Sequence, residues 1–221
     1  MSGLLILAVD AATYSGSVAV LRGRQILEEG EVVMRGATEE RLMPAIVDVL
    51  GRAAVDVADL DGVACGAGPG SFTSLRIAGA LAKGIAVSRK IPLFVASSLA
   101  LIVAADDSLG AGDYLAQLDA MRGELYVQHL RRHPDDRIEE MAPPRLLSVN
   151  AALALRAAGG LTGIGSAGAE IERVPRARGF ALLLGSVARE VSLASWEPSY
   201  GRLAEAQVLW EKRHGRTLAD P

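Results

Sequence analysis

Few residues in this chain combine a reactive type with a spacing that could do chemistry. Asp10 closes the apolar run Leu4-Leu5-Ile6-Leu7-Ala8-Val9, and Asp119 closes Ala116-Gln117-Leu118. An acid at the C-terminal end of a buried strand can hold a metal-bound nucleotide phosphate, or it can simply form the turn at the strand exit. Alone, each acid favours the turn; as a pair in matching segments they suit a phosphate cleft. Gly66-Ala67-Gly68-Pro69-Gly70-Ser71 precedes a helical pattern, where backbone N–H groups could face an anion. The segment lacks the Gly-Lys-Ser/Thr of a P-loop, and its glycines do not fit the dinucleotide fingerprint. On spacing alone it is a tight strand-to-helix turn. His129 and His133 fall on a strand pattern before Pro134, where their rings stand about 13 Å apart at ~3.3 Å per residue, too far for one metal. No histidine lies near Ser71 in sequence, so a hydrolytic triad finds no support. Cys65 is the only cysteine, which rules out an internal disulfide and a cysteine-based zinc site.

These groups need elements to position them. Residues 4–10 predict a central strand covered on both faces, because the run is continuously apolar. Residues 15–21 and 25–33, broken at Gly23, complete a meander of three strands. A helix is expected from about Thr38, with Thr38 as N-cap and Glu39 and Glu40 in its first turn, and with Pro44 forcing a kink or a later start. Leu42, Met43, Ile46, Val47 and Leu50 form its apolar stripe. Residues 61–66 predict a strand and 73–88 a second long helix rich in Ala and Gly. Gly79 and Gly84 each cost that helix about 1 kcal/mol relative to Ala, which predicts close approach of another backbone. A strand at 91–96 and a helix at 98–105 follow.

The pattern then restarts. Strand, terminal Asp, Gly-containing turn and strand recur at 114–119 and 125–131, a weak internal repeat that implies two lobes of related topology. Residues 137–142 and 160–165 predict short strands, and 149–158 and 180–194 predict helices. Residues 205–213 suit a terminal helix, and 215–221 a loose tail. The expected division is a first lobe of residues 1–105 and a smaller second lobe of 106–221, in an α/β fold.

Composition narrows the function. At 221 residues, half of them hydrophobic and 22% charged, the chain can build a core and is not a disordered segment. A net charge of −3 argues against a dedicated nucleic-acid binder. With 2 Trp, 4 Tyr and 3 Phe, a base-stacking platform is hard to assemble. The N-terminus lacks a basic signal-peptide region and the longest apolar stretch is too short to span a bilayer, so a cytoplasmic protein without membrane association is expected.

One segment is far more specific than any glycine count. Gly68-Pro69-Gly70-Ser71-Phe72-Thr73-Ser74-Leu75-Arg76 closely resembles the Gly-Pro-Gly-Ser-Phe-Thr-Gly-Leu-Arg segment of the TsaB (YeaZ) family. The opening strand through Asp10, the segment Glu40-Arg41-Leu42-Met43-Pro44 and Asp119-Ala120-Met121-Arg122-Gly123-Glu124-Leu125-Tyr126 are similar to that family's motifs. So is Pro198-Ser199-Tyr200-Gly201-Arg202. The likeness is dense over residues 4–130 and thin beyond. Three positions depart from the pattern: Ser74 where Gly is usual, Ala37 where His is common, and Met121 inserted ahead of Arg122.

The resemblance implies a two-lobed actin-like ATPase (ASKHA, ribonuclease H-like) fold with an abbreviated second lobe. It implies a role in forming N6-threonylcarbamoyladenosine on tRNAs that read codons starting with A. In that system a TsaD-type catalytic paralogue carries the metal and a TsaE-type ATPase supports turnover. The TsaB-like member is non-catalytic, binds tRNA only through the complex and pairs with the paralogue through its first two long helices. It requires no cofactor or metal of its own, with ATP or ADP entering at the level of the complex, and can homodimerise when alone. The paralogue's metal ligands include a His-x-x-x-His pair on its first long helix; residues 38–50 here hold no histidine. The expected partner interface is Leu42, Met43, Ile46, Val47, Leu50, Phe72, Leu75, Arg76, Gly79 and Lys83. Asp10, Gly68, Gly70, Ser71 and Asp119 are the expected vestigial nucleotide cleft. The competing reading is an active nucleotide-dependent phosphotransferase or ATPase built on that cleft. A peptidase reading lacks both metal ligands and a triad.

Overall fold

The computed structural model describes residues 3–34, 41–166, 168–201 and 213–214. The first sheet starts as a meander: β1 (Leu5–Asp10), β2 (Ser15–Arg22) and β3 (Gln25–Val33). Then come α1 (Leu42–Arg52), β4 (Gly62–Gly66), α2 (Phe72–Arg89), β5 (Leu93–Ala96) and α3 (Ser98–Ala104). The second half holds β6 (Gly112–Asp119), β7 (Glu124–Arg132), β8 (Ile138–Glu140), β9 (Arg145–Ser148), α4 (Val149–Gly159), β10 (Thr162–Gly165) and β11 (Ile171–Glu172). It ends with α5 (Phe180–Leu183) and β12 (Arg189–Val191).

The first sheet runs β12-β5-β4-β1-β2-β3, and the second runs β11-β10-β6-β7-β8 with β9 also on β7. The internal repeat is visible in both. β1 pairs antiparallel with β2 and parallel with β4; β6 pairs antiparallel with β7 and parallel with β10. Every residue of β1 is buried, because side chains leave the strand alternately toward two packed layers. Leu5, Leu7 and Val9 meet Leu42, Ile46, Val49 and Leu50 of α1 and the alanines of α2. Ile6 and Ala8 face the other way, into a core shared with α3, Phe180 and the second sheet's Leu118 and Leu130. A smaller cluster packs α4 onto the far face of the second sheet through Leu115, Leu125, Val127 and Ala152.

α1 begins at Leu42, so Pro44 sits in the first turn, where its missing N–H has no intrahelical partner to lose. The expected cap at Thr38 with Glu39 and Glu40 lies outside the described residues, as do Ala37, Arg202, most of 205–213 and all of 215–221. The two α2 glycines differ: a Cβ on Gly79 would lie 3.0 Å from Pro198, whereas Gly84 has nothing within 4 Å. Only Gly79 is closely approached, and by the Pro198 and Trp196 side chains instead of another backbone.

The helix expected at 180–194 is corrected. α5 stops at Leu183, Gly185 turns the chain at φ +90°, and β12 then adds antiparallel to β5. The open edge of β5 offers backbone partners that a free helix end lacks. Residues 189–196 therefore return to the first sheet instead of staying with the second lobe, and Trp196 is buried on the α2 side. The strands β9 and β11 were also not anticipated. No helix among the described residues is long and apolar enough to cross a membrane.

Candidate functional site

Asp10 is fully buried at the end of β1. Its Oδ2 accepts from Ser98 Oγ at 2.6 Å and its Oδ1 accepts from the Ala12 N–H at 3.1 Å. Ser98 opens α3; its Oγ also accepts from the Gly68 N–H at 3.1 Å, and its own N–H donates to the Gly68 carbonyl at 2.9 Å. Burial pushes the Asp10 carboxyl above its ordinary pKa, and the bonds from Ser98 and Ala12 oppose that only partly. Burial, and then the charge of Asp10, push the neighbouring Cys65 thiol far up as well, which leaves it an inert core group.

The glycine segment is packed against the chain itself. A Cβ on Gly66 would lie 1.8 Å from Asp10 Oδ2, one on Gly68 2.3 Å from the Ser199 carbonyl, and one on Gly70 2.1 Å from the Ala12 carbonyl. The Ser71 N–H donates to Ala12 at 2.7 Å, the Ala67 N–H to Ala96 at 2.8 Å, and the Ser199 N–H returns to Ala67 at 2.7 Å. The N–H groups of 67, 68 and 71 are thus spent internally instead of converging on an anion. Ser74 is buried, with its hydroxyl 3.1 Å from that of Ser71.

A cavity of about 380 Å³ opens between the lobes, lined among others by Gly70, Ser71, Asp119, Tyr126 and Arg173. Of the five residues expected there, Gly70, Ser71 and Asp119 line it. Asp10 and Gly68 do not: both are tied to Ser98 away from the cavity wall. Asp119 is exposed and accepts from the Met121 N–H at 2.8 Å; the turn continues through Met121, Arg122 and Gly123, all at positive φ. Arg173 was missed by sequence reasoning, although the run Arg173, Arg176, Arg178 was a visible signal. The two histidines stay apart: His129 Nε2 lies 2.8 Å from Asp113 Oδ1, and His133 Nε2 lies 2.7 Å from Glu139 Oε2. Among the described residues, no group of three or more His, Cys, Asp or Glu side chains could hold a metal.

The expected interface residues divide. Leu42, Ile46, Leu50 and Leu75 are buried in the chain's own core. Gly79 is covered by Pro198 and Trp196, and Lys83 Nζ donates to the Trp196 carbonyl at 2.9 Å. These six serve the fold, because the sheet takes one stripe of α1 and the segment after β12 takes one side of α2. Gly79→Leu would strike Pro198 and cannot separate pairing from folding. Met43, Val47, Phe72 and Arg76 remain on the outside, with Met43 39%, Val47 58% and Phe72 40% exposed. The Phe72 ring lies 4.5 Å from the Tyr200 ring, and the Arg76 guanidinium sits 5.3 Å above the Phe72 ring.

A model of the TsaD family, described as tRNA N6-adenosine threonylcarbamoyltransferase, matches residues 33–191. The tRNA threonylcarbamoyladenosine biosynthesis protein TsaB of Escherichia coli K12 is 34% identical over 128 residues, 58% of this chain and 55% of that protein. The chain belongs to the TsaD family, as one of its TsaB (YeaZ) members. The TsaB of Bacillus subtilis 168 is 31% identical over 140 residues, 63% of this chain and 60% of that protein. The chain's match thus spans little more than half the length of these curated relatives. The solved structure of YeaZ from Pseudomonas aeruginosa superposes with a TM-score of 0.73 at 26% identity, over 89% of this chain and 99% of that one. The two mixed sheets with their helices form a two-lobed α/β fold.

Proposed function

We propose that this chain is the non-catalytic partner subunit for N6-threonylcarbamoyladenosine formation on tRNAs that read codons starting with A. It acts in the cytoplasm by pairing with a TsaD-type catalytic paralogue, and it homodimerises through the same face when alone. A TsaE-type ATPase and the tRNA join at the level of the complex, where ATP or ADP also enters. The observation that carries this reading is the outward set Met43, Val47, Phe72 and Arg76 on adjacent helices α1 and α2. On α1 the core takes Leu42, Ile46, Val49 and Leu50 and leaves Met43 and Val47 on the exposed side, and on α2 Phe72 and Arg76 are exposed as well. The locked state of Asp10 supports the same reading. A carboxylate whose two oxygens already accept from Ser98 and Ala12 is a strut for the glycine segment, poorly placed to hold a phosphate-bound metal.

The second reading is a nucleotide-dependent phosphotransferase or ATPase. It draws on the 380 Å³ cavity with Ser71, Asp119 and Arg173 on its walls. The two are separated by mixing the chain with the TsaD-type paralogue of the same genome, sizing the mixture by light scattering, and assaying tRNA threonylcarbamoylation with and without the chain. A stable heterodimer and strict dependence on the chain are expected. No complex and no dependence would discard the partner reading in favour of the cavity.

A further inference from the structure

Among the described residues, the chain crosses between its two sheets twice. The first crossing leaves α3 and runs through residues 105–111 into β6; the second leaves β11 and runs through 173–179 into α5. In a two-lobed fold the cleft opens by bending such segments, so what holds them decides whether it opens.

Here the crossings are joined to each other by charge. Arg173 Nε donates to Asp106 Oδ2 at 2.6 Å, and Arg178 Nη2 donates to Asp107 Oδ2 at 2.6 Å. The second crossing is also tied to the edge of the first sheet: Arg178 Nη1 donates to Glu29 Oε1 at 3.1 Å, Arg176 pairs with Glu31, and the Ala177 N–H donates to Ser17 Oγ at 2.8 Å. The first crossing is tied to the second sheet, because the buried Arg132 of β7 donates to the Asp106 carbonyl at 2.6 Å. Packing allows little slack beneath: a Cβ on Gly179 would lie 3.0 Å from the Leu101 carbonyl. Three arginines in six residues thus meet four carboxylates from two other places in the chain, the first crossing and β3.

We infer that these pairs form a charge-locked hinge that fixes the angle between the lobes, and that screening the charges releases it. The inference stands apart from the proposed function and would hold for either reading of the cleft. Single exposed ion pairs contribute little, but this set is a network and the Asp106 side chain is only 10% exposed. At 1 M salt the screening length falls to about 3 Å, shorter than the span of the network.

The test measures the distance between lobes in the full chain. Spin labels go on Gly84→Cys, on the open side of α2, and Ala154→Cys, on the exposed side of α4. The buried Cys65 stays unlabelled. Pulsed electron resonance should give one narrow distance distribution at 0.1 M salt that widens roughly twofold at 1 M. Arg178→Glu, which faces Glu29 and Asp107, should widen it at low salt, and Asp107→Lys added to it should narrow it again. An unchanged width at 1 M salt would overturn the inference without any hinge variant, so it remains testable should Arg178→Glu fail to fold. A folded Arg178→Glu variant with native width, or one that Asp107→Lys does not restore, would equally assign the lobe angle to packing alone.

Discussion

Asp10 and Asp119 occupy matching places in two related lobes, yet they do opposite things. Each ends a strand that runs antiparallel to its hairpin partner and parallel to a strand ending in glycine, Gly66 for β4 and Gly165 for β10. Neither glycine has room for a Cβ. At Gly66 the obstacle is the Asp10 carboxylate, 1.8 Å away; at Gly165 it is the Gln117 carbonyl, 1.9 Å away. The first lobe lays the glycine segment and the start of α3 over its acid, and Ser98 turns that acid into an internal strut. In the second lobe β10 runs into a short turn, with the Ala169 N–H on the Ser166 carbonyl, and Asp119 stays in solvent. A repeated topology therefore does not repeat a site. What covers the strand end decides whether its acid is structural or available.

The largest expected effect falls on the glycine beside the strut. Gly66→Ala should destabilise the chain by about 3 kcal/mol, because the new methyl must displace a buried, doubly bonded carboxylate. Gly123→Ala, in the second-lobe turn at φ +77° with open space around it, should cost only about 1 kcal/mol. Urea midpoints of the two variants test this, and equal losses would erase the distinction between the lobes. Ser98→Ala should follow at about 2 kcal/mol, since it leaves Asp10 Oδ2 buried without its donor. Asp119→Ala, losing one exposed turn bond, should cost about 1 kcal/mol or less.

Acid titration should separate the lobes by sign. The folded Asp10 carboxyl sits above its ordinary 3.8, so the native chain loses stability as pH rises from there through the folded value, and Asp10→Asn should lack that decline. Asp113 is held below 3.8, first by its bond to His129, with Arg131 adding to it. Its contribution is present above 3.8 and lost as pH falls through the folded value, so Asp113→Asn should show a shallower acid limb. Denaturation midpoints across that range check both; identical profiles for the two variants would contradict the assigned environments. The smallest stability change is expected at Val47→Asp, within about 0.5 kcal/mol, because that side chain points outward.

Much of the architecture follows from local pattern. The continuously apolar β1, the hairpin broken at Gly23, the glycine segment before α2 and the strand-Asp-turn repeat are all contained in short stretches of sequence. What escaped depends on distant partners. Nothing near Asp10 in sequence announces Ser98, 88 residues on, so its spacing resembled that of a cleft acid. α1 carries two interleaved apolar rows; the sheet takes Leu42, Ile46, Val49 and Leu50 and leaves Met43 and Val47, a choice set by how the helix is seated. Residues 180–194 have helical apolar spacing, but the unpaired edge of β5 captures part of them as β12. Gly79 does mark a close approach, but the approaching group is the Pro198 side chain of this same chain and not another backbone.

The central claim is that the chain works through the outer face of α1 and α2 and not through the cleft between its lobes. The most direct measurement reconstitutes tRNA threonylcarbamoylation with the TsaD-type partner, using the chain with Val47→Asp beside the chain with Asp119→Ala, both confirmed folded by thermal melting. The account predicts that Val47→Asp abolishes pairing and modification while Asp119→Ala keeps both. Full activity with Val47→Asp and its loss with Asp119→Ala would contradict it and make the cleft the working site.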